Sequence, residues 1–333
     1  MKINFKKTFI CPLLKVKKEI FSSFYRNNFK DKFLFINKNW KWLYRVNFKK
    51  KIYPLALFVN GKMVGHSGHM PFEFLINKKK YISSWFIDFK IDSKFQNQGY
   101  GTYLVKEWKK KIQIGFAFCN NKSLRVFKKN KWSHDKNFFM FSLFINPFNY
   151  FKLGKSLPDK VKYILNNFFS IFFKIINKFK KKKIIFHTIN YKNFRLINKK
   201  KNLNYFKWRI LNSPNFKNYK IVSLEDKKYF FLLRVNKKRN IKYLEILLFS
   251  EDIDSNYFRN FVLNLHSWSF KKNYCFLKIL LKKEVVKKIN ILTSIKKKIN
   301  FVFFLKNNLI KKDFKKNIPN FQLIDSDFEF IGN

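Results

Sequence analysis

The stretch Gln96-Asn97-Gln98-Gly99-Tyr100-Gly101, which opens onto Thr102 and a helical pattern reaching Lys111, holds the residues best placed to do chemistry. Only 8 glycines occur in 333 residues, and Gly61, Gly65, Gly68, Gly99, Gly101 and Gly115 all lie between positions 61 and 115. Glycine permits positive φ and close approach of backbone to backbone or ligand, so one region concentrates both needs. A turn entering a helix leaves several N–H groups without intrahelical partners and presents the positive end of the helix dipole. Such a turn can hold a pyrophosphate; a purely structural glycine turn is the other reading. Ionisable residues nearby are His66, His69, Glu73, Asp88 and Asp92. The two histidines differ by three positions, so on a regular strand they point to opposite faces and cannot share a metal ion. No Ser-His-Asp, Walker or H-E-x-x-H signature supports hydrolase or nucleotide-triphosphatase chemistry.

The elements that position this turn follow from local patterns. Pro54 to Val59 reads as a strand, Asn60-Gly61 as a two-residue hairpin turn, and Lys62 to Met70 as the returning strand. Tyr81 to Ile91 reads as a third antiparallel strand, with Trp85, Ile87, Phe89 and Ile91 sharing one face by period-2 alternation. Leu104, Val105 and Trp108 recur at helical spacing, Ile112 to Phe118 is strand-like, and Asn120 to Asn130 is a second short helix carrying Leu124 and Phe127. Upstream, Trp40 to Arg45 is a candidate helix.

The order strand, Gln-x-x-Gly-x-Gly turn, helix, strand, helix resembles the GNAT acyltransferase superfamily, with Gln96, Gly99 and Gly101 matching its central motif. Asn120, Ser123, Phe127 and Trp132 resemble the family's second motif helix, and the likeness spans roughly residues 50–135. It implies a mixed α/β GNAT fold that binds acetyl-coenzyme A as cosubstrate and needs no metal. The backbone around Phe89 and Ile91 would then hydrogen-bond the pantetheine arm like an added strand. The turn from Gln96 and Asn97 through Thr102, above all the amides of Gln98, Gly99, Tyr100 and Gly101, would hold the pyrophosphate, and Asn120 would lie near the thioester end. A plain helix cap is the alternative for Asn120.

The same resemblance implies direct attack of an amine on the thioester, with a backbone-polarised carbonyl, a base or water taking the amine proton, and a tyrosine protonating the thiolate. Phe127 stands where that tyrosine would be and has no proton to give, and Lys131 replaces the glycine that ends the helix. Asp88, on a strand among apolar residues, is the preferred catalytic base; a solvent-facing carboxylate paired with Lys90 or another of the many lysines is the alternative. The function implied is an N-acetyltransferase acting on a primary amine of a small molecule, amino sugar or protein. A non-catalytic coenzyme A- or polyanion-binding module is the alternative. The acceptor, acyl chain length and oligomeric state are not legible in the residues.

Composition bounds the rest. The net charge is +54, but 65 of the 73 basic residues are Lys and 8 are Arg, the side chain that reads phosphates bidentately. Abundant Lys, Asn, Ile and Phe with scarce Gly, Pro and Ala is what an AT-rich coding sequence produces, so the charge does not require a nucleic-acid partner. With 47% hydrophobic residues the chain is expected to fold. Cys11, Cys119 and Cys275 are too scattered for a disulfide framework or zinc spacing, which fits a reducing cytoplasm. The apolar stretch Thr8 to Leu14 is broken by Pro12 and is too short for a signal peptide.

Three segments are expected: a GNAT domain at 1–150, an amphipathic basic linker helix at 151–189, and an accessory domain at 190–333. In the linker, Ile164, Phe168, Ile171, Phe172, Ile175 and Phe179 recur at helical spacing and are expected to pack on the domains. The stretch carries Lys162, Asn166, Asn167 and Lys174, and so lacks the apolar run a bilayer span requires; a membrane-surface helix is the alternative. Beyond 190, strand-like runs at Tyr229–Val235, Tyr243–Phe249, Tyr274–Leu281 and Asn300–Leu305 alternate with helix-like stretches at 255–268 and 284–295. Phe206-Lys207-Trp208-Arg209 and Asp325-Ser326-Asp327 resemble pieces of degenerate second GNAT domains in tandem proteins. An unrelated accessory domain is the other reading.

Overall fold

The computed structural model describes residues 7–29, 32–45, 52–76, 79–150, 157–177, 181–199, 201, 203–238, 241–250, 252–285, 294–306, 314 and 321–322. Asp325-Ser326-Asp327 and Phe179 lie outside them. The chain divides into two compact units: residues 1–136, 299–319 and 326–332 form the first, and 137–298 with 320–325 form the body of the second.

The first unit begins with β1 (Thr8–Pro12), α1 (Lys18–Asn28) and α2 (Phe33–Leu43). Then come β2 (Leu55–Val59), β3 (Lys62–Ile76), β4 (Lys79–Ile91), α3 (Tyr100–Lys109), β5 (Ile114–Cys119) and α4 (Asn121–Lys129). β12 (Ser294–Leu305) closes its sheet in the order β1-β2-β3-β4-β5-β12. All neighbours are antiparallel except β4 and β5, which run parallel. Parallel neighbours need a crossover, and α3 supplies it. The Asn60-Gly61 turn has φ of 49° and 75°, the doubly positive geometry that matches strand twist in tight hairpins. Leu55, Leu57, Phe86, Leu104, Trp108, Ala117 and Phe127 are among the buried residues that join the sheet to α3 and α4.

The expected alternation along β4 is interrupted. Gly65 faces Ile91 and His66 faces Lys90, but Gly68 already faces Ile87, so Asp88 and Phe89 stand against Ser67 alone. Asp88 has φ of 47°, and this bulge shifts the pleat by one residue. Phe89 and Ile91 therefore join the core that contains Phe86, while Trp85 packs against Phe116, Phe118 and Phe301.

The second unit repeats the plan. β7 (Ile184–His187), α6 (Tyr191–Ile197), α7 (Leu203–Phe206), β8 (Tyr219–Leu224), β9 (Phe230–Lys238) and β10 (Ile241–Phe249) lead to α8 (Ser255–Lys271) and β11 (Phe276–Lys282). With β6 (Ser133–Phe144) the order is β7-β8-β9-β10-β11-β6, again antiparallel except at β10 and β11, and again with a register shift late in the fourth strand, between Ile246 and Leu248. Each unit takes its sixth strand from the far side of the other in sequence: β6 follows α4 yet pairs with β11, and β12 follows β11 yet pairs with β5.

Two expectations need correction. The helical reading of 284–295 fails at its end, because Ser294 and Ile295 open β12; residues 286–293 lie outside the described set. The helix α5 (Asp159–Asn177) forms, but with its faces reversed: Asn166, Ser170 and Phe173 are buried while Ile164, Phe168, Ile171, Phe172 and Ile175 are exposed. Asn166 accepts from Phe148 N at 3.2 Å and donates to Asn149 Oδ1 at 3.1 Å, and Phe173 stacks on His266 at 3.7 Å. Those specific partners, rather than area, select the packed face.

Candidate active site

β4 and β5 pair only at Ser83–Ile114, Ser84–Gly115 and Trp85–Phe116. Beyond Trp85 the ladder stops, while β5 continues to pair with β12 as far as Cys119. The edge of β4 from Phe86 to Ile91 thus turns backbone groups toward a gap that β5 does not fill, and an extended ligand arm can bond there as an added strand.

The glycine turn stands at the end of that edge. Gln96 Nε2 donates to Ile91 O at 2.9 Å and Gln98 Nε2 to Lys94 O at 3.0 Å, while Asp92 Oδ1 accepts from Lys94 N at 3.0 Å. The Gln96 side chain therefore ties the turn to the strand. Asn97 has φ of 63° and Gly99 φ of 88°, left-handed values that asparagine and glycine tolerate. Gly99 occupies the N-cap of α3, no side chain caps that end, and no acidic residue lies in its first turn. Tyr103 N makes the first bond back, to Gly99 O at 3.0 Å, so the amides of Tyr100, Gly101 and Thr102 precede any intrahelical acceptor. A Cβ on Gly101 would lie 3.1 Å from the Phe89 ring and 3.7 Å from Ile91 and Val126. Phe89, Ile91, Gln96 and Gly101 are thus brought together. These residues fit a pyrophosphate on the helix start and an extended arm along β4.

Asn120 is the N-cap of α4, its Oδ1 accepting from Ser123 N at 2.9 Å. Phe127 is buried against Phe86, Phe89 and Trp132.

Asp88 belongs to a different cluster, on the α1 and α2 side of the sheet. Its Oδ1 accepts from Lys32 Nζ at 2.9 Å and its Oδ2 from Tyr44 Oη at 3.1 Å, with the carboxylate side chain 2% exposed. The partner is another lysine than Lys90, as the alternative allowed, but the carboxylate is buried rather than solvent-facing. His66 Nδ1 lies 3.0 Å from Asp88 O, and Tyr25 Oη 3.0 Å from His66 Nε2. A carbonyl only accepts, so Nδ1 carries the proton and Tyr25 donates to Nε2. Burial lowers the His66 pKa to about 4 and raises that of Tyr25 well above its usual value. His69 projects to the other face, against Phe86 and Trp108, so the two histidines diverge as their spacing implies. Tyr25, Lys32 and Tyr44 have no sequence motif; they converge through the packing of α1 and α2 and the Asp88 bulge. Burial also raises all three cysteine thiols, Cys119 to about 12.

The repeated unit lacks the open features. Its crossover helix α8 is capped by Asp254, whose Oδ1 accepts from Tyr257 N at 2.8 Å, placing a carboxylate where an anion would bind. The β10–β11 ladder ends at Ile246–Ile279. Past it, Phe249 N donates to Gln322 Oε1 at 2.7 Å and Phe249 O accepts from Gln322 Nε2 at 2.9 Å, so the chain's own Gln322 satisfies both backbone groups of Phe249.

A six-stranded sheet with one parallel pair, a bulged fourth strand and an uncapped glycine turn into the crossover helix defines the GNAT fold, and solved structures agree. Among those similar to this chain is a GCN5-related N-acetyltransferase from Anabaena variabilis, at 8% identity and a TM-score of 0.55, covering 90% of this chain and 73% of that one. Another is Saccharomyces cerevisiae N-myristoyltransferase with bound myristoyl-CoA, at 12% identity and 0.56, covering 90% and 83%. A GCN5-related N-acetyltransferase from Kribbella flavida matches at 9% and 0.51, covering 90% and 71%. No protein-family model and no curated protein matches the sequence. The chain has the GNAT fold, and each likeness covers 90% of it.

Proposed function

We propose that the first unit is an N-acyltransferase that moves an acyl group, acetyl in the leading form of the proposal, from acyl-coenzyme A to a primary amine. The observation that carries this reading is the pairing of an uncapped α3 start with the unfilled β4 edge. The corresponding features of the second unit are closed by Asp254 and Gln322, so a single cofactor site per chain is proposed. Gln98 to Thr102 would hold the pyrophosphate and the backbone at Phe89 and Ile91 the pantetheine, with Gln96, Asn97 and Asn120 shaping the turn and the start of α4.

When bound, acyl-coenzyme A supplies an activated thioester. Asp88 is the proposed acceptor of the amine proton; its buried carboxylate is engaged by Lys32 and Tyr44, so this role requires the amine to displace one of those contacts. The raised thiol pKa values favour direct attack by the amine over a cysteine-bound intermediate. Phe127 gives no proton to the departing thiolate.

Calorimetric titration with acetyl-coenzyme A and, separately, myristoyl-coenzyme A tests both the site and the donor. Gly99→Glu places a carboxylate and its bulk at a position with φ of 88°. Micromolar binding of one thioester, lost in that variant, is the expected result. Unchanged affinity in Gly99→Glu, or no affinity for either thioester, would retire the proposal. A second reading, coenzyme A binding without turnover, is favoured by buried Phe127; an amine-dependent thiol-release assay on the wild type separates the two.

A further inference from the structure

Large apolar side chains are exposed at 18 described positions of the chain, and 7 of these lie on the 19-residue helix α5. At about 100° per residue, Ile164, Phe168, Ile171, Phe172 and Ile175 form a continuous stripe about 100° wide. Phe168 is 66% and Ile175 64% exposed, whereas Asn166 and Ser170 on the opposite side are 4% and 2% exposed. The other 11 are spread over the rest of the described residues, so composition alone does not account for 7 on one helix.

Charge indicates what covers it. Lys160 and Lys174 border the stripe on one side. The sequence then runs Lys178-Phe179-Lys180-Lys181-Lys182-Lys183, in which Lys182 also pairs with Asp226 at 2.7 Å. No helix among the described residues is long and apolar enough to cross a membrane. A helix with a bulky apolar face and basic borders, followed in the sequence by a basic run, has the pattern that lies in the headgroup boundary of a bilayer. Nucleic acid would satisfy the lysines but leave the Ile and Phe side chains in water. A second copy of the chain would bring the same lysines and a net charge of +54 against itself.

We infer that α5 seats the protein on an anionic lipid surface, with its Ile and Phe stripe among the acyl chains nearest the headgroups and its lysines against lipid phosphates and carboxylates. The contact does not depend on acyl transfer.

The test is sedimentation of the full chain with vesicles of phosphatidylcholine alone or with about 30% phosphatidylserine. Phe168→Gln with Phe172→Gln leaves the charge unchanged and alters only exposed side chains. Anionic vesicles should bind the wild type, and the double variant should partition at least ~10-fold less, with an unchanged circular dichroism spectrum. A Phe172→Trp variant should show blue-shifted emission on anionic vesicles. Equal binding of wild type and double variant, or unshifted tryptophan emission, would mean that lysines alone hold the vesicle, overturning the inference. Absence of vesicle binding, with a self-association that the double variant abolishes, would assign the stripe to a second copy and overturn it as well.

Discussion

Two residues set the local energetics of the candidate site. Asp88 sits in a left-handed bulge with its carboxylate buried against Lys32 and Tyr44, and deleting one partner of a buried ion pair is costly because the other charge stays buried. Asp88→Asn should therefore lower stability by roughly 3 kcal/mol in urea denaturation as well as lower turnover. Pairing it with Lys32→Met separates the effects: if stability returns and turnover does not, Asp88 acts in proton transfer, and if both return it only supports the fold. Lys131 is the second case. Lys131 N bonds Lys128 O at 2.9 Å and Trp132 N bonds Phe127 O at 3.1 Å, the two bonds that close a helix through a left-handed residue, and Lys131 takes φ of 59°. The resemblance expects glycine there, and the backbone keeps the glycine geometry although the side chain is lysine. Lys131→Gly should raise stability by about 1 kcal/mol, read as a higher urea midpoint; a lower midpoint would show that the lysine stem contributes more than the strain costs.

At the level of elements, what the sequence made legible was local. Asn60-Gly61 specifies its hairpin within two residues, and the glycine turn announces α3 because few other glycines compete for notice. The bulge was hidden because Asp88 sits inside an apparently unbroken alternation, and an Asp at positive φ leaves no pattern of its own. Helical spacing in α5 identified which residues share a face but not which face packs, since that depended on Asn149, Phe148 and His266 from elsewhere in the chain. The pairing of β12 with β5 is non-local and carried no signal at all. One consequence of how α2 meets β3 can be tested. A Cβ on Gly68 would strike the Tyr44 ring and lie 3.0 Å from Ile87 O, so Gly68→Ala should cost about 1–3 kcal/mol through overpacking. Because Tyr44 donates to Asp88, turnover should fall further than the loss of folded protein explains; turnover per folded molecule equal to the wild type would detach Tyr44 from the chemistry.

Over the whole molecule, acid sensitivity is the property that burial dictates most directly. His66 and His69 in the first unit and His266 in the second are fully buried. Desolvation lowers His66 to about 4, His266 to about 3, and His69 well below its ordinary value. In the folded chain all three stay neutral at pH 5.5, whereas in the unfolded chain each takes up a proton near 6.5. The unfolded state then binds more protons, so stability falls as pH drops below about 6.5 and continues to fall toward about 4, where His66 protonates in place. Between pH 5 and 6 His134 and His187, whose pKa values burial also lowers, add to the same trend. Urea-derived stabilities across that interval should correspond to uptake of at least about two protons per unfolding chain. His66 alone represents about 3 kcal/mol by the time pH reaches its folded value. A flat profile between pH 5 and 6.5 would mean that these rings meet water, and with that the closed packing of α1 and α2 over the Asp88 bulge would fail.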